Sequence, residues 1–179
     1  GAHLAASPLV DKIAFTGGGV TGRKIQIAAS ANFKKISLEL GGKSPNIIFA
    51  DADPNVALEY ALFGIFAGQG EVCSAGSRLL LDRRLGGDFL HRLVSACEKI
   101  VVGPGLDEAT EMGPLISRAH QKKVLDYIQA GCCEGAELMC GGGTYNDKRS
   151  SGNFVQPTIF SNTKPSMRIV KDEIFGPVS

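Results

Sequence analysis

Phe15-Thr16-Gly17-Gly18-Gly19-Val20-Thr21-Gly22, FTGGGVTG, contains the spacing G-x-G-x-x-G through Gly17, Gly19 and Gly22. Glycines at this spacing let backbone amides approach phosphate oxygens, and a helix N-terminus behind them favours the negative charge. On the glycines alone three readings stand open: a dinucleotide turn, a Walker A loop and a plain flexible turn. A Walker A loop needs Lys and then Ser or Thr after its last glycine. Here Gly22 is followed by Arg23 and Lys24, so that reading fails. The flanks decide between the other two. Lys12 to Phe15 is a short apolar strand leading in. Behind the turn, Val20, Lys24, Ile27, Ala28 and Ala31 recur at helical spacing. Lys35 to Leu40 then alternates, with Ile36, Leu38 and Leu40 on one side and Ser37 and Glu39 on the other. Strand, glycine turn, helix, strand is the unit in which a dinucleotide turn carries weight. Glu39 lies 22 positions beyond Gly17, where such units place a carboxylate for the ribose hydroxyls.

Further along, Asn46 to Phe49 reads as an apolar strand. Asp53-Pro54 is an N-cap followed by proline at the first helical position, opening a helix to about Ala67. The loop Gly68 to Cys73 precedes a strand around Arg78 to Leu81. Helices are expected near Asp88 to Ile100 and, capped by Ser117, from Arg118 to Ala130. Shorter strands are expected near Glu137 to Met139 and Val155 to Phe160. The stretch from Gly141-Gly142-Gly143 to Gly152 reads as a loose surface loop. Alternating strands and helices imply an α/β fold with a largely parallel sheet.

The composition bounds the rest. With 179 residues, 44% hydrophobic, 21% charged and a formal net charge of +1, the chain reads as an ordinary soluble globular protein. It has no global field to recruit nucleic acid or anionic lipid. The pair Lys34-Lys35 reads as a solvated strand edge. The richest apolar run, Tyr60 to Ala67, is far shorter than a membrane span. Five cysteines, at 73, 97, 132, 133 and 140, form no C-x-x-C pair, which points to reduced thiols and a cytoplasmic compartment. The histidines, His3, His91 and His120, are far apart in sequence, so no metal site is expected.

Two motifs reassign Glu39. Leu38-Glu39-Leu40-Gly41-Gly42-Lys43-Ser44-Pro45 resembles the glutamate signature of the aldehyde dehydrogenase superfamily. Gly70-Glu71-Val72-Cys73-Ser74-Ala75-Gly76-Ser77-Arg78 resembles its cysteine signature, 34 positions from Glu39 to Cys73. Val10-Asp11-Lys12-Ile13-Ala14-Phe15-Thr16-Gly17 and Glu173-Ile174-Phe175-Gly176-Pro177-Val178 are similar to two further family stretches, in the right order. The resemblance covers nearly the whole chain. It implies a three-layer αβα fold, incomplete at both ends. Residues 1–41 would be the C-terminal part of the dinucleotide-binding domain, and 42–179 the N-terminal and central part of the catalytic domain.

The resemblance also implies the chemistry. The cofactor loop becomes G-x-x-x-x-G, framed by Gly17 and Gly22, with Gly18 standing where many members carry Ser. Cys73 is implied as the nucleophile that forms a thiohemiacetal and then an acyl-thioester. Glu39 is implied as the general base for hydrolysis. Glu173 is implied to hold the nicotinamide-side ribose, with Phe175 and the Leu40 backbone beside the nicotinamide. NAD is the implied cofactor, with NADP as the alternative, and a small-molecule aldehyde the substrate. No nucleic-acid or membrane partner is implied, and the parent protein is expected to be a homo-dimer or homo-tetramer. The 179-residue stretch alone is expected to be inactive. The remaining cysteines, Cys97, Cys132, Cys133 and Cys140, read as buried and unreactive, and Lys43 as structural. Two other functions stay open: a thiol hydrolase using Glu39, Lys43 and Cys73, and a non-catalytic remnant of a dehydrogenase.

Overall fold

The computed structural model describes every residue from Gly1 to Ser179. The chain is α/β and divides into two compact units, Gly1–Gly42 and Lys43–Ser179. In the first, a short helix α1 (Ala2–Ala6) precedes strand β1 (Lys12–Gly17), helix α2 (Gly19–Ser30) and strand β2 (Lys35–Leu40). The two strands run parallel, in register from Lys12 opposite Lys35 to Gly17 opposite Leu40. A parallel pair needs a crossover between its strands, and α2 supplies it. Gly22 sits where this helix meets the pair. A Cβ there would lie 2.9 Å from Leu40 Cδ2, so a larger residue would push the Leu40 side chain aside.

One expectation in this unit is corrected. Lys34 is not solvated: it is 7% exposed, and its Nζ donates to Asn32 Oδ1 at 2.5 Å. The turn between α2 and β2 folds back, with the Lys34 amide on the Ala29 carbonyl. That buries the aliphatic stem while the ammonium finds a local acceptor. Lys35, the next residue, is exposed.

The second unit begins with strand β3 (Pro45–Ile48), helix α3 (Pro54–Phe66) and strand β4 (Arg78–Leu81), and β3 pairs with β4 in parallel. Asp53 caps α3, its carboxylate accepting from the amides of Asn55 and Val56. Helix α4 (Gly86–Cys97) buries Phe89, Leu93 and Cys97, a single stripe at four-residue spacing. Helix α5 (Arg118–Cys133) starts at Ser117, whose hydroxyl accepts from the His120 amide. Strands β5 (Glu137–Cys140) and β6 (Ile159–Ser161) pair antiparallel, and a short helix α6 (Arg168–Lys171) leads to the last segment. Two of the three strand pairs are thus parallel. No helix is long and apolar enough to cross a membrane.

Two apolar clusters hold this unit. One joins Ile48, Ile65, Phe66, Phe89, Leu93 and Met112; the other joins Leu115, Val124, Ile128, Val155, Ile174 and Val178. The strand at 45–48 buries Ile48 but leaves Ile47 55% exposed, with Phe49 just beyond it 64% exposed, so only one face of its apolar run is used.

The stretch from 141 to 152 is not loose. The Arg149 guanidinium lies 3.5 Å from the Tyr145 ring centroid and pairs with Asp147 at 2.5 Å. The Gly142 amide donates to Thr158 Oγ1, and a 3₁₀ turn covers Lys148–Ser151. It is a surface loop, as its polar composition implies, but charge pairing on a ring orders it.

The cysteines separate as well. Cys97 and Cys140 are buried, in line with the expectation for them, whereas Cys132 and Cys133 are exposed at the end of α5 and correct it. Helix rotation sets this outcome, because the buried stripe of α5 runs through Val124, Ile128 and Gly131 and leaves both thiols off it.

Candidate active site

In the first unit, Gly17, Gly18, Gly22, Glu39 and Leu40 gather at one end of the β1–β2 pair. Thr16 pairs with Glu39 and Gly17 with Leu40, so the end of the glutamate strand lies alongside the start of the glycine turn. Gly18 is the N-cap of α2, in extended conformation, and its carbonyl accepts from the Thr21 and Gly22 amides. The Gly19 and Val20 amides have no partner in the protein, as the first amides of a helix do not. Added Cβ atoms at Gly18 and Gly19 would meet nothing within 4 Å, so the space before these amides is open. The first turn carries no carboxylate. Open amides, a helix N-terminus and no competing anion fit a phosphate group. Glu39 is exposed.

In the second unit, α3 runs into a tight turn at Ala67–Gly70 in which Gly68 and Gln69 both have positive φ. Cys73 follows, exposed at the tip of a turn closed by the Ala75 amide on the Val72 carbonyl. The amides of Cys73 and Ser74 make no hydrogen bond within the protein and stand free beside the thiol. The turn is fixed by residues remote in sequence. Gln69 Oε1 accepts from the Gly113 amide at 3.3 Å, and Glu71 Oε1 from the Ile116 amide at 3.1 Å. The Gly76 amide donates to the Gly64 carbonyl at 2.8 Å. Gly70, at φ +68°, lies so close to the final segment that a Cβ would fall 2.3 Å from the Gly176 carbonyl oxygen.

That final segment carries Glu173 and Phe175, both half-buried, on either side of the buried Ile174. Phe175 has φ +61°, an uncommon conformation for a bulky residue. Lys43, the first residue of this unit, donates from Nζ to the Ser77 carbonyl at 3.1 Å, while Arg78 Nε donates to the Lys43 carbonyl at 2.8 Å. Burial pushes the Lys43 ammonium down to about 8; Arg78 adds to the shift, and Asp172 and Glu173 oppose it. No group of three or more His, Cys, Asp or Glu side chains is arranged to hold a metal ion.

Sequence reasoning missed His120, Glu71 and Gln69 as parts of this region. His120 Nε2 lies 2.5 Å from the Phe175 carbonyl oxygen and 3.5 Å from Glu71 Oε1. The available signal was a histidine three residues after the capping Ser117 and four before Val124, in line with the buried stripe of α5. Spacing alone could not say which segments it would meet.

An α/β chain with a glycine-start helix beside one strand end, and an exposed thiol turn docked on a carboxylate-bearing segment, combines a nucleotide-type turn with a nucleophile-type turn. The chain belongs to the aldehyde dehydrogenase family, whose model matches residues 1–179. It is 51% identical to betaine aldehyde dehydrogenase of Bacillus subtilis, over 99% of this chain and 36% of that protein. It is 49% identical to human retinal dehydrogenase 2, over 99% of this chain and 34% of that protein. A crystal structure of betaine aldehyde dehydrogenase from Staphylococcus aureus in complex with NAD+ superposes with a TM-score of 0.96 at 43% identity, covering 99% of this chain and 35% of the other. The chain spans about a third of the length of the relatives it matches.

Proposed function

We propose that these 179 residues are part of an NAD-linked aldehyde dehydrogenase that oxidises an aldehyde to a carboxylic acid, with Cys73 as nucleophile and Glu39 as general base. The observation that carries this reading is the exposed Cys73 at the tip of a turn whose neighbouring amides are unpartnered, in a chain of this family. The Cys73 thiolate adds to the carbonyl carbon: a C–S bond forms and the C=O π pair moves onto oxygen. The free Cys73 and Ser74 amides can donate to the oxyanion so formed. NAD, when bound, supplies the acceptor for the hydride that leaves the tetrahedral carbon. Glu39 then takes a proton from water, whose oxygen attacks the thioester; the C–S bond breaks, the acid leaves and the thiolate returns.

Residues 1–41 are proposed to serve as the C-terminal part of the dinucleotide-binding domain and 42–179 as the N-terminal and central part of the catalytic domain. Gly17, Gly18 and Gly22 would frame the pyrophosphate, and the Leu40 backbone, Glu173 and Phe175 would line the nicotinamide side. NADP is the alternative cofactor. Because the chain spans about a third of its relatives, the segment alone is proposed to be inactive.

The test follows NAD reduction with a simple aldehyde in a full-length chain carrying these residues. Cys73→Ala should abolish turnover, a loss of about 10³-fold or more. Glu39→Gln should keep a single burst of reduced cofactor and slow the steady state by about 10²-fold or more. Undiminished turnover in Cys73→Ala, or a burst lost together with the steady state in Glu39→Gln, would overturn the assigned roles.

A further inference from the structure

Helix α5 meets the final segment along a single stripe. His120 Nε2 takes the Phe175 carbonyl, Lys123 Nζ the Glu173 carbonyl at 3.4 Å, and Tyr127 Oη the Asp172 carboxylate at 3.3 Å. Val124 packs where a Cβ on Gly176 would fall, 2.6 Å from Val124 Cγ2. Residues 120, 123, 124 and 127 are neighbours on one helix face, so the helix holds Glu173 and Phe175 by their carbonyls, Asp172 by its carboxylate and Gly176 by packing. Its N-terminal end also holds the cysteine turn. Glu71 accepts from the Ile116 amide and reaches His120 Nε2 at 3.5 Å, both side chains being about 15% exposed.

From this arrangement we infer that His120 is a positioning residue that couples the Cys73 turn to the Glu173–Phe175 segment. It touches both, through Glu71 on one side and the Phe175 carbonyl on the other. A carbonyl can only accept, so Nε2 carries the proton, and the Glu71 carboxylate beside it favours that tautomer. The bond falls at Phe175, whose φ of +61° is costly for a bulky side chain and persists only where its surroundings hold it. The Phe175 ring also meets the imidazole edge-on, at 6.1 Å between centroids. Loss of the imidazole therefore releases the Phe175 backbone and leaves Glu71 tied to Ile116 alone. Both the pose of Glu173 and Phe175 and the reactivity of Cys73 should respond.

The inference rests on the proposed function for its kinetic arm but not for its chemical one. In a full-length chain, His120→Ala is compared with His120→Gln and with Lys122→Ala, a control in the exposed Lys122–Asp126 pair of the same helix. The alanine variant should raise KM for NAD about tenfold while kcat changes less, as expected for loss of binding-state positioning. Alkylation of Cys73 by iodoacetamide, read by peptide mass spectrometry, should change at least about threefold in rate. Glutamine keeps an N–H for the Phe175 carbonyl and should restore both values to within about twofold. If the alanine variant does not fold, Glu71→Gln keeps the acceptor for Ile116 and removes only the charge beside His120, and the same alkylation shift is expected from it. Alkylation rates within twofold of wild type in His120→Ala, or in Glu71→Gln, overturn the coupling. Wild type that reduces no NAD with any aldehyde, yet shows the alkylation shift in its variant, defeats the proposed function and leaves the coupling standing.

Discussion

The glycine turn and the cysteine turn are built in opposite ways. The first closes on itself: the Gly18 carbonyl takes amides three and four residues on, and no side chain takes part. The second is held from outside. Its anchors are Gly113, Ile116 and Gly176, more than 40 residues away from the atoms they hold. A turn made by local bonds can adapt to what it meets, while a turn made by remote bonds arrives preorganised. That contrast suits the roles proposed for them, closing on phosphate and presenting a nucleophile to a carbonyl.

Glycine replacements probe the contrast most strongly. Gly70→Ala places a Cβ against the Gly176 carbonyl at a residue of positive φ, and both the backbone and the final segment must shift. Thermal or denaturant unfolding of a full-length chain should show a loss of about 3 kcal/mol or more. Gly19→Ala sits in the first turn of a helix with open space beside it and should be neutral or stabilising by about 0.5–1 kcal/mol. Equal effects at the two sites would erase the distinction.

A smaller effect is expected at Lys43, which ties the end of the cysteine turn through the Ser77 carbonyl. Its ammonium is pushed from 10.5 to about 8. Between those pH values the unfolded chain binds more protons than the folded one, so this residue makes stability rise with pH across that window. Measured against Lys43→Met, the wild type should gain at most about 3 kcal/mol from pH 7 to pH 10.5. A difference that stays flat would show that the folded Lys43 keeps an ordinary affinity for its proton.

The smallest change is expected from Gly18→Ser. The extended conformation at residue 18 suits a serine N-cap, so stability should rise by a few tenths of a kcal/mol. The added hydroxyl should also lower KM for NAD about twofold. A rise in KM would argue that phosphate does not approach the helix through residue 18.

Much of the layout is legible in the sequence. The strand at 35–40, the Asp53 and Ser117 caps and the strand at 78–81 follow from alternation, capping chemistry and β-branched or leucine-rich runs. Misreadings fell where polarity or spacing was taken as the whole cause. Lys34 looked solvated because lysine usually is, and the stretch 141–152 looked loose because it is polar and rich in glycine. Cys132 and Cys133 looked buried because most unassigned cysteines are. Short-range pairing decided the first two, Lys34 on Asn32 and Arg149 on Asp147 and Tyr145, and the rotation of a helix about its own core stripe decided the third.

By itself the sequence determined most of the elements, their order and the motifs proposed to carry the chemistry, because these depend on spacings of one to four residues and on short signatures. It did not give the short helices α1 and α6 or the start of β6 at Ile159. It also determined that the glycine turn opens a helix beside the Glu39 strand end, since a parallel pair with a short crossover leaves little other choice. Only the tertiary structure decided that α5 holds the cysteine turn and the Glu173–Phe175 segment at one end, through His120. The physical reason is that hydrogen bonds across 45 to 55 residues of chain depend on how helices and turns dock, and docking is set by the burial of Val124, Ile128, Ile174 and Val178 in one apolar cluster. Nothing in the residues adjacent to His120 encodes which carbonyl it will find.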